Sequence, residues 1–133
     1  PEVIANDPVH AGGYYVRPTV LADVKPYYKI AREEVFGPVL AVGTFRDFDE
    51  ALSIANDSQY GLGAGIFSRD IKKCHQFAQD VEAGKVWINS SNEVNFNMPF
   101  GGVKMSGHGR ELGKYGLQNF TNVKAVYVNM VDI

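Results

Sequence analysis

Residues 60–89 read YGLGAGIFSRDIKKCHQFAQDVEAGKVWIN. The first nine suggest a glycine-loosened turn and a short strand. From Asp70 the pattern turns helical, with Ile71, Cys74, Ala78 and Val81 on one face. Gly84 lies just past the end of that helix, where a left-handed residue is easiest to accommodate. KVWIN then reads as a second compact strand. A strand, a ten-residue helix and a strand in close succession predict an α/β unit with parallel strands.

The same alternation extends outward. Upstream, VLAVGTF (39–45) has the pattern of a buried strand. Asp47 precedes Glu50 by three residues, a capping-box start to a helix. Phe48, Ala51, Leu52 and Ala55 give that helix an apolar face, and residues 56–58 close it. YYVRPTVLADV (14–24) predicts a strand with Pro18 at an edge or bulge. YKIAREEVFGP (28–38) predicts one short helical turn stopped by Gly37-Pro38. Residues 1–13 read as a loop. The chain opens on Pro1 in that loop-like sequence, as expected of a piece of something longer. Downstream, a polar loop runs to Met98. Residues 110–120 can form a helix, weakened by Gly113 and Gly116. KAVYVNMV (124–131) predicts a last strand with no helix after it, free to pair with another subunit.

Bulk properties exclude several classes. The 133 residues suffice for one domain, and 45% apolar with 21% charged residues is ordinary for a soluble fold. Net charge is −2, and the 13 Lys and Arg are scattered, so no basic stripe for nucleic acid is built. One cysteine excludes an intrachain disulfide and fits a reducing compartment. No apolar run approaches the ~20 residues of a membrane span, and no signal-peptide pattern opens the chain.

Residues 99–116, PFGGVKMSGHGRELGKYG, hold six glycines in eighteen positions. A phosphate loop would need a buried strand directly before the glycines, a G-x-G-x-x-G spacing and room for a βαβ unit after them. None of these is present, nor is the G-K-[ST] of a P-loop. The glycines read instead as a tight turn and a closely packed helix, with Arg110-Glu111 as helix-start charges. Cys74 has Lys72, Lys73 and His75 beside it in sequence, which suits a reactive thiol. It shares the helix's apolar side, however, and His75 lies about 100° around, so a buried, inert cysteine is the expectation. His10, His75 and His108 lack metal-ligand spacing. Glu33-Glu34 reads either as a solvated helix end or as a clamp. A carboxylate with an aromatic two residues on suits a sugar diol and a flat ring.

Read together, five stretches resemble the C-terminal part of the aldehyde dehydrogenase superfamily: GGYYVRPTVLADV (12–24), REEVFGPVLAV (32–42), ALSIANDSQYGLGAGIFS (51–68), GKVWINSSN (84–92) and PFGGVKMSGHGRELGKYGLQNFTNVKAVYV (99–128). EEVFGPV and PFGGxKxSGxGRExG are its specific motifs, and the pattern is most similar to the broad-specificity and retinal-type branch. The resemblance implies an α/β fold: residues 1–122 as part of the catalytic domain, with a parallel-type sheet and flanking helices, and 123–133 as an oligomerisation-domain strand. It implies oxidation of an aldehyde to a carboxylic acid with NAD or NADP. In the family a cysteine thiolate attacks the aldehyde, hydride leaves to the nicotinamide, and a glutamate-activated water hydrolyses the thioester. Neither that cysteine nor that glutamate lies in this chain, and Cys74 is not the nucleophile, so the chain alone is expected to be inactive. By match to the motifs, Glu34 corresponds to the glutamate on the nicotinamide ribose and Phe36 to the phenylalanine beside the nicotinamide. Phe100 and Val94 correspond to substrate-tunnel positions, a valine at 94 implying a roomy site. The resemblance further implies a homodimer or homotetramer in the cytoplasm or mitochondrial matrix, with no metal, nucleic-acid or membrane partner. A crystallin-like structural relative of the same fold is the alternative.

Overall fold

A computed structural model describes residues 12–131, which form two compact units, 12–59 and 60–131. His10, Asp132 and most of the expected N-terminal loop lie outside the described residues.

The first unit opens on β1 (Thr19–Leu21) and α1 (Lys29–Arg32), followed by β2 (Val39–Ala41) and α2 (Phe48–Asn56). β1 and β2 pair in parallel, Thr19 opposite Val39 and Leu21 opposite Ala41. β1 is shorter than the 14–24 expected. Pro18 carries no N–H for a ladder, and the pairing of β1 with β2 begins with the Thr19 N–H donating to the Pro38 carbonyl at 2.9 Å. α2 starts as its sequence predicts: the Asp47 carboxylate accepts from the Glu50 N–H at 2.9 Å. The return half of the box is displaced by one residue, because the Glu50 carboxylate accepts from the Arg46 N–H at 2.6 Å and from its Nε at 3.0 Å. Those bonds hold the Glu50 carboxyl below its ordinary range.

The second unit holds β3 (Tyr60–Gly61), β4 (Gly63–Ile66), α3 (Ile71–Asp80), β5 (Lys85–Ile88), β6 (Val103–Lys104) and α4 (Gly113–Gln118). β4 and β5 pair in parallel through the α3 crossover, and β3 and β6 pair antiparallel. The α/β alternation and parallel pairing agree with expectation, but they take the form of separate two-stranded ladders. Asp70 caps α3 by accepting from the Lys72 and Lys73 N–H groups at 3.1 and 3.2 Å. The buried face of that helix is Cys74, Phe77 and, at its cap, Val81, while Ile71 is exposed. Phe77 takes the place expected for Ile71 on the buried face.

Three further expectations are corrected. Gly84 is not among the glycines with positive φ. It is glycine because a Cβ there would run into the Gly101 carbonyl, so the chain after α3 packs directly on the glycine segment. The final helix begins at Gly113, not at 110, because the Glu111 N–H and carbonyl are committed to Phe100 in an isolated bridge, at 2.7 and 2.8 Å. Residues 124–131, expected as a strand, pair with no strand among the described residues. Val126, Tyr127, Val128 and Met130 there are exposed.

Candidate functional site

In the first unit, the turn after α1 carries Glu34 and Phe36. Arg32, the last residue of α1, anchors its start. Its Nη1 donates to the Asp57 Oδ1 and to the Asp57 carbonyl, both at 2.8 Å, and its Nη2 donates to Oδ2 at 2.6 Å. This two-pronged match of guanidinium to carboxylate fixes orientation as well as distance. The turn then tightens through the Gly37 N–H on the Val35 carbonyl at 2.8 Å. Phe36 stands 91% exposed. The Glu34 carboxylate is exposed too, and none of the described hydrogen bonds or ion pairs engages it. An acceptor-only group and a bare ring face thus sit two residues apart on a braced turn. That donor-free pair could hold a diol beside a flat ring.

In the second unit, Lys85 links the Phe100 ring to the backbone that leads into Val94. Trp87 lies across from Gly65 in the β4–β5 ladder, and its ring covers Gly63, where a Cβ would approach it to 2.7 Å. The Trp87 indole N–H and the Lys85 ammonium both donate to the Glu93 carbonyl, at 3.0 and 2.7 Å. That carbonyl immediately precedes Val94, so two side chains of β5 fix the loop carrying it. The same ammonium lies 5.7 Å from the Phe100 ring centroid. The Phe100 backbone is held by the Glu111 bridge.

The glycine segment presents acceptors inward. Arg110 Nη1 donates to the Gly102 and Gly109 carbonyls at 2.7 and 2.8 Å. A loop folded around a guanidinium in this way is built to hold a cation, whereas a phosphate cradle turns its N–H groups to an anion. Arg110 therefore shapes the turn; it is not the helix-start charge that its position suggested. Cys74 is fully buried, its thiol 3.8 Å from the Ser68 carbonyl, and His75 is exposed. Among the described residues no three His, Cys, Asp or Glu gather as metal ligands, and no helix is long and apolar enough to cross a membrane.

Residues 3–126 match the model of the aldehyde dehydrogenase family. The chain belongs to that family. It is 49% identical over 120 residues to aldehyde dehydrogenase [NAD(P)+] 1 of Saccharomyces cerevisiae, covering 90% of this chain and 24% of the yeast protein. It is 47% identical over 114 residues to the chloroplastic betaine aldehyde dehydrogenase of Beta vulgaris, covering 86% of this chain and 23% of the beet protein. Among solved structures, the NAD+ complex of aldehyde dehydrogenase from Bacillus cereus superposes with a TM-score of 0.86 at 51% identity, covering 89% of this chain and 24% of that one. The chain thus spans about a quarter of the length of these relatives. The yeast and beet identities are too close to separate branches of the family.

The two bracing arginines and Lys85 were missed from sequence. Arg32 pairs across 25 positions and Arg110 clasps backbone, and neither leaves a spacing signal. Lys85 could have been found, since it shares a strand face with Trp87 by simple alternation.

Proposed function

We propose that the complete protein containing this chain oxidises an aldehyde to a carboxylic acid with NAD or NADP, through a cysteine thiohemiacetal and thioester. The attacking cysteine, the water-activating glutamate and the site for the adenosine half of the cofactor would come from the rest of the protein, so the chain alone would not turn over. The cofactor, when bound, supplies the hydride acceptor. Glu34 would accept from the hydroxyls of the nicotinamide ribose, because both its oxygens are uncommitted. Phe36 would offer its exposed ring to the nicotinamide. Phe100 and Val94 would form part of the substrate-tunnel wall, with valine leaving room for bulky aldehydes. Residues 1–122 would belong to the catalytic domain. Residues 123–133 would join an oligomerisation surface as a strand, which suits the exposed apolar side chains there. The complete protein would be a homodimer or homotetramer of the cytoplasm or mitochondrial matrix.

The observation that carries this reading is the 34–36 turn, an unpartnered carboxylate and a bare aromatic braced by Arg32 and Asp57, in a chain of this family. The test is turnover by the complete protein with NAD or NADP and a series of simple aldehydes. One carboxylate should form for each reduced cofactor. No reduced cofactor with any aldehyde would overturn the reading and favour a structural, crystallin-like relative.

A further inference from the structure

Lys85 does more than its place in β5 requires. An ammonium has three N–H donors. One goes to the Glu93 carbonyl at 2.7 Å. The described ion pairs engage Lys29, Arg32, Arg46 and Lys104, and none of them engages Lys85. Its charge is therefore not neutralised by a neighbouring carboxylate among the described residues. That charge lies 4.8 Å from the Trp87 ring centroid and 5.7 Å from that of Phe100, within the ~6 Å over which an aromatic face attracts a cation.

Two neighbouring aromatic faces, one of them Phe100 of the proposed tunnel wall, would ordinarily welcome a cationic substrate, as aromatic cages hold quaternary ammonium groups. Here a resident cation already occupies them. We infer that Lys85 is a specificity-determining residue, one that turns an aromatic, cation-attracting wall into one that disfavours aldehydes bearing a positive charge near the carbonyl and prefers neutral or anionic ones. The inference rests on the reading of Phe100 and Val94 as tunnel wall.

The test uses the complete enzyme and two probes of the same shape, trimethylammonioacetaldehyde and 3,3-dimethylbutanal, which differ in a quaternary nitrogen against a quaternary carbon. The readout is the ratio of kcat/KM, neutral over cationic, in wild type and in Lys85→Met. Comparing the two proteins cancels the different hydration of the two aldehydes. The ratio should fall at least tenfold in Lys85→Met, the size of the interaction between two unit charges about 12 Å apart near a protein surface, and should be retained in Lys85→Arg. Lys85→Gln, which keeps a donor for the Glu93 carbonyl without the charge, serves if the methionine variant does not fold. An unchanged ratio in the charge-removing variant overturns the inference. Val94→Phe separates this from failure of the tunnel reading. If it leaves discrimination between slim and bulky neutral aldehydes untouched, the tunnel reading fails; if it penalises the bulky ones while the Lys85 ratio stands still, only the role of Lys85 is wrong.

Discussion

Replacing Glu34 by Gln isolates the proposed cofactor contact, because the side chain does nothing else among the described residues. It is exposed and has no hydrogen-bond or ion-pair partner there, so folding should not register the change. The whole effect should appear in cofactor use. A carboxylate can accept from both hydroxyls of a ribose; the amide keeps one acceptor and sets an NH2 against the second hydroxyl. Losing one hydrogen bond to a charged acceptor costs about 1.5–3 kcal/mol, or roughly 10- to 150-fold in rate or affinity. Steady-state kinetics of the complete enzyme at saturating aldehyde, with NAD or NADP varied, should show a fall of that size in kcat/KM for the cofactor. Thermal unfolding without cofactor should be unchanged. Unaltered kcat and cofactor KM would refute the assignment. A large drop in the unfolding temperature would refute the premise that Glu34 is structurally idle.

Other consequences follow from the packing. Gly84→Ala forces a methyl against the Gly101 carbonyl; the backbone must yield at a cost of about 1–3 kcal/mol, and Phe100 beside it should shift, so thermal stability should fall and aldehyde KM rise. An alanine variant with wild-type stability would contradict the contact. Asp70→Ala removes the α3 cap and should cost about 1 kcal/mol; amide exchange across residues 72–80 should speed up several-fold, and Asp70→Asn should restore protection. Glu50 is held below its ordinary range, first by its side-chain bond with Arg46 and then by its bond to the Arg46 N–H. Its contribution is therefore present above the unfolded carboxyl's pKa and lost as pH falls through the lower folded value. Glu50→Gln should thus be less stable than wild type near neutrality and equal to it in acid, in unfolding midpoints taken across pH; a pH-independent gap would contradict this.

What the sequence disclosed divides along physical lines. Local rules were readable: the Asp47 and Asp70 caps, the apolar stripe through Cys74 and Val81, and the strand–helix–strand order at 60–89 all rest on contacts a few residues apart. Long-range commitments were not. Gly84 looked like a helix cap because sequence shows only its position after α3, while the reason for it lies at Gly101. Arg110 and Glu111 looked like helix-start charges, but the Phe100 bridge claims the backbone that helix would need. The row at 124–131 has the composition of a strand, yet a strand needs a partner, and the described residues offer none. For the site, Glu34 and Phe36 were conspicuous only through the EEVFGPV motif. Residue chemistry alone favours a solvated helix end over a clamp, and the brace that distinguishes the turn, Arg32 on Asp57, spans α2.

The segment at 99–116 has the glycine content of a nucleotide site but not its spacing, and the cofactor contact is assigned to the plainer turn at 34–36. A crystal structure of the complete protein with NAD or NADP decides between the two. The account predicts the Glu34 carboxylate within hydrogen-bond distance of the nicotinamide ribose hydroxyls, Phe36 beside the nicotinamide, and no phosphate at residues 101–109. A pyrophosphate seated on those glycines, with Glu34 left in solvent, would contradict it.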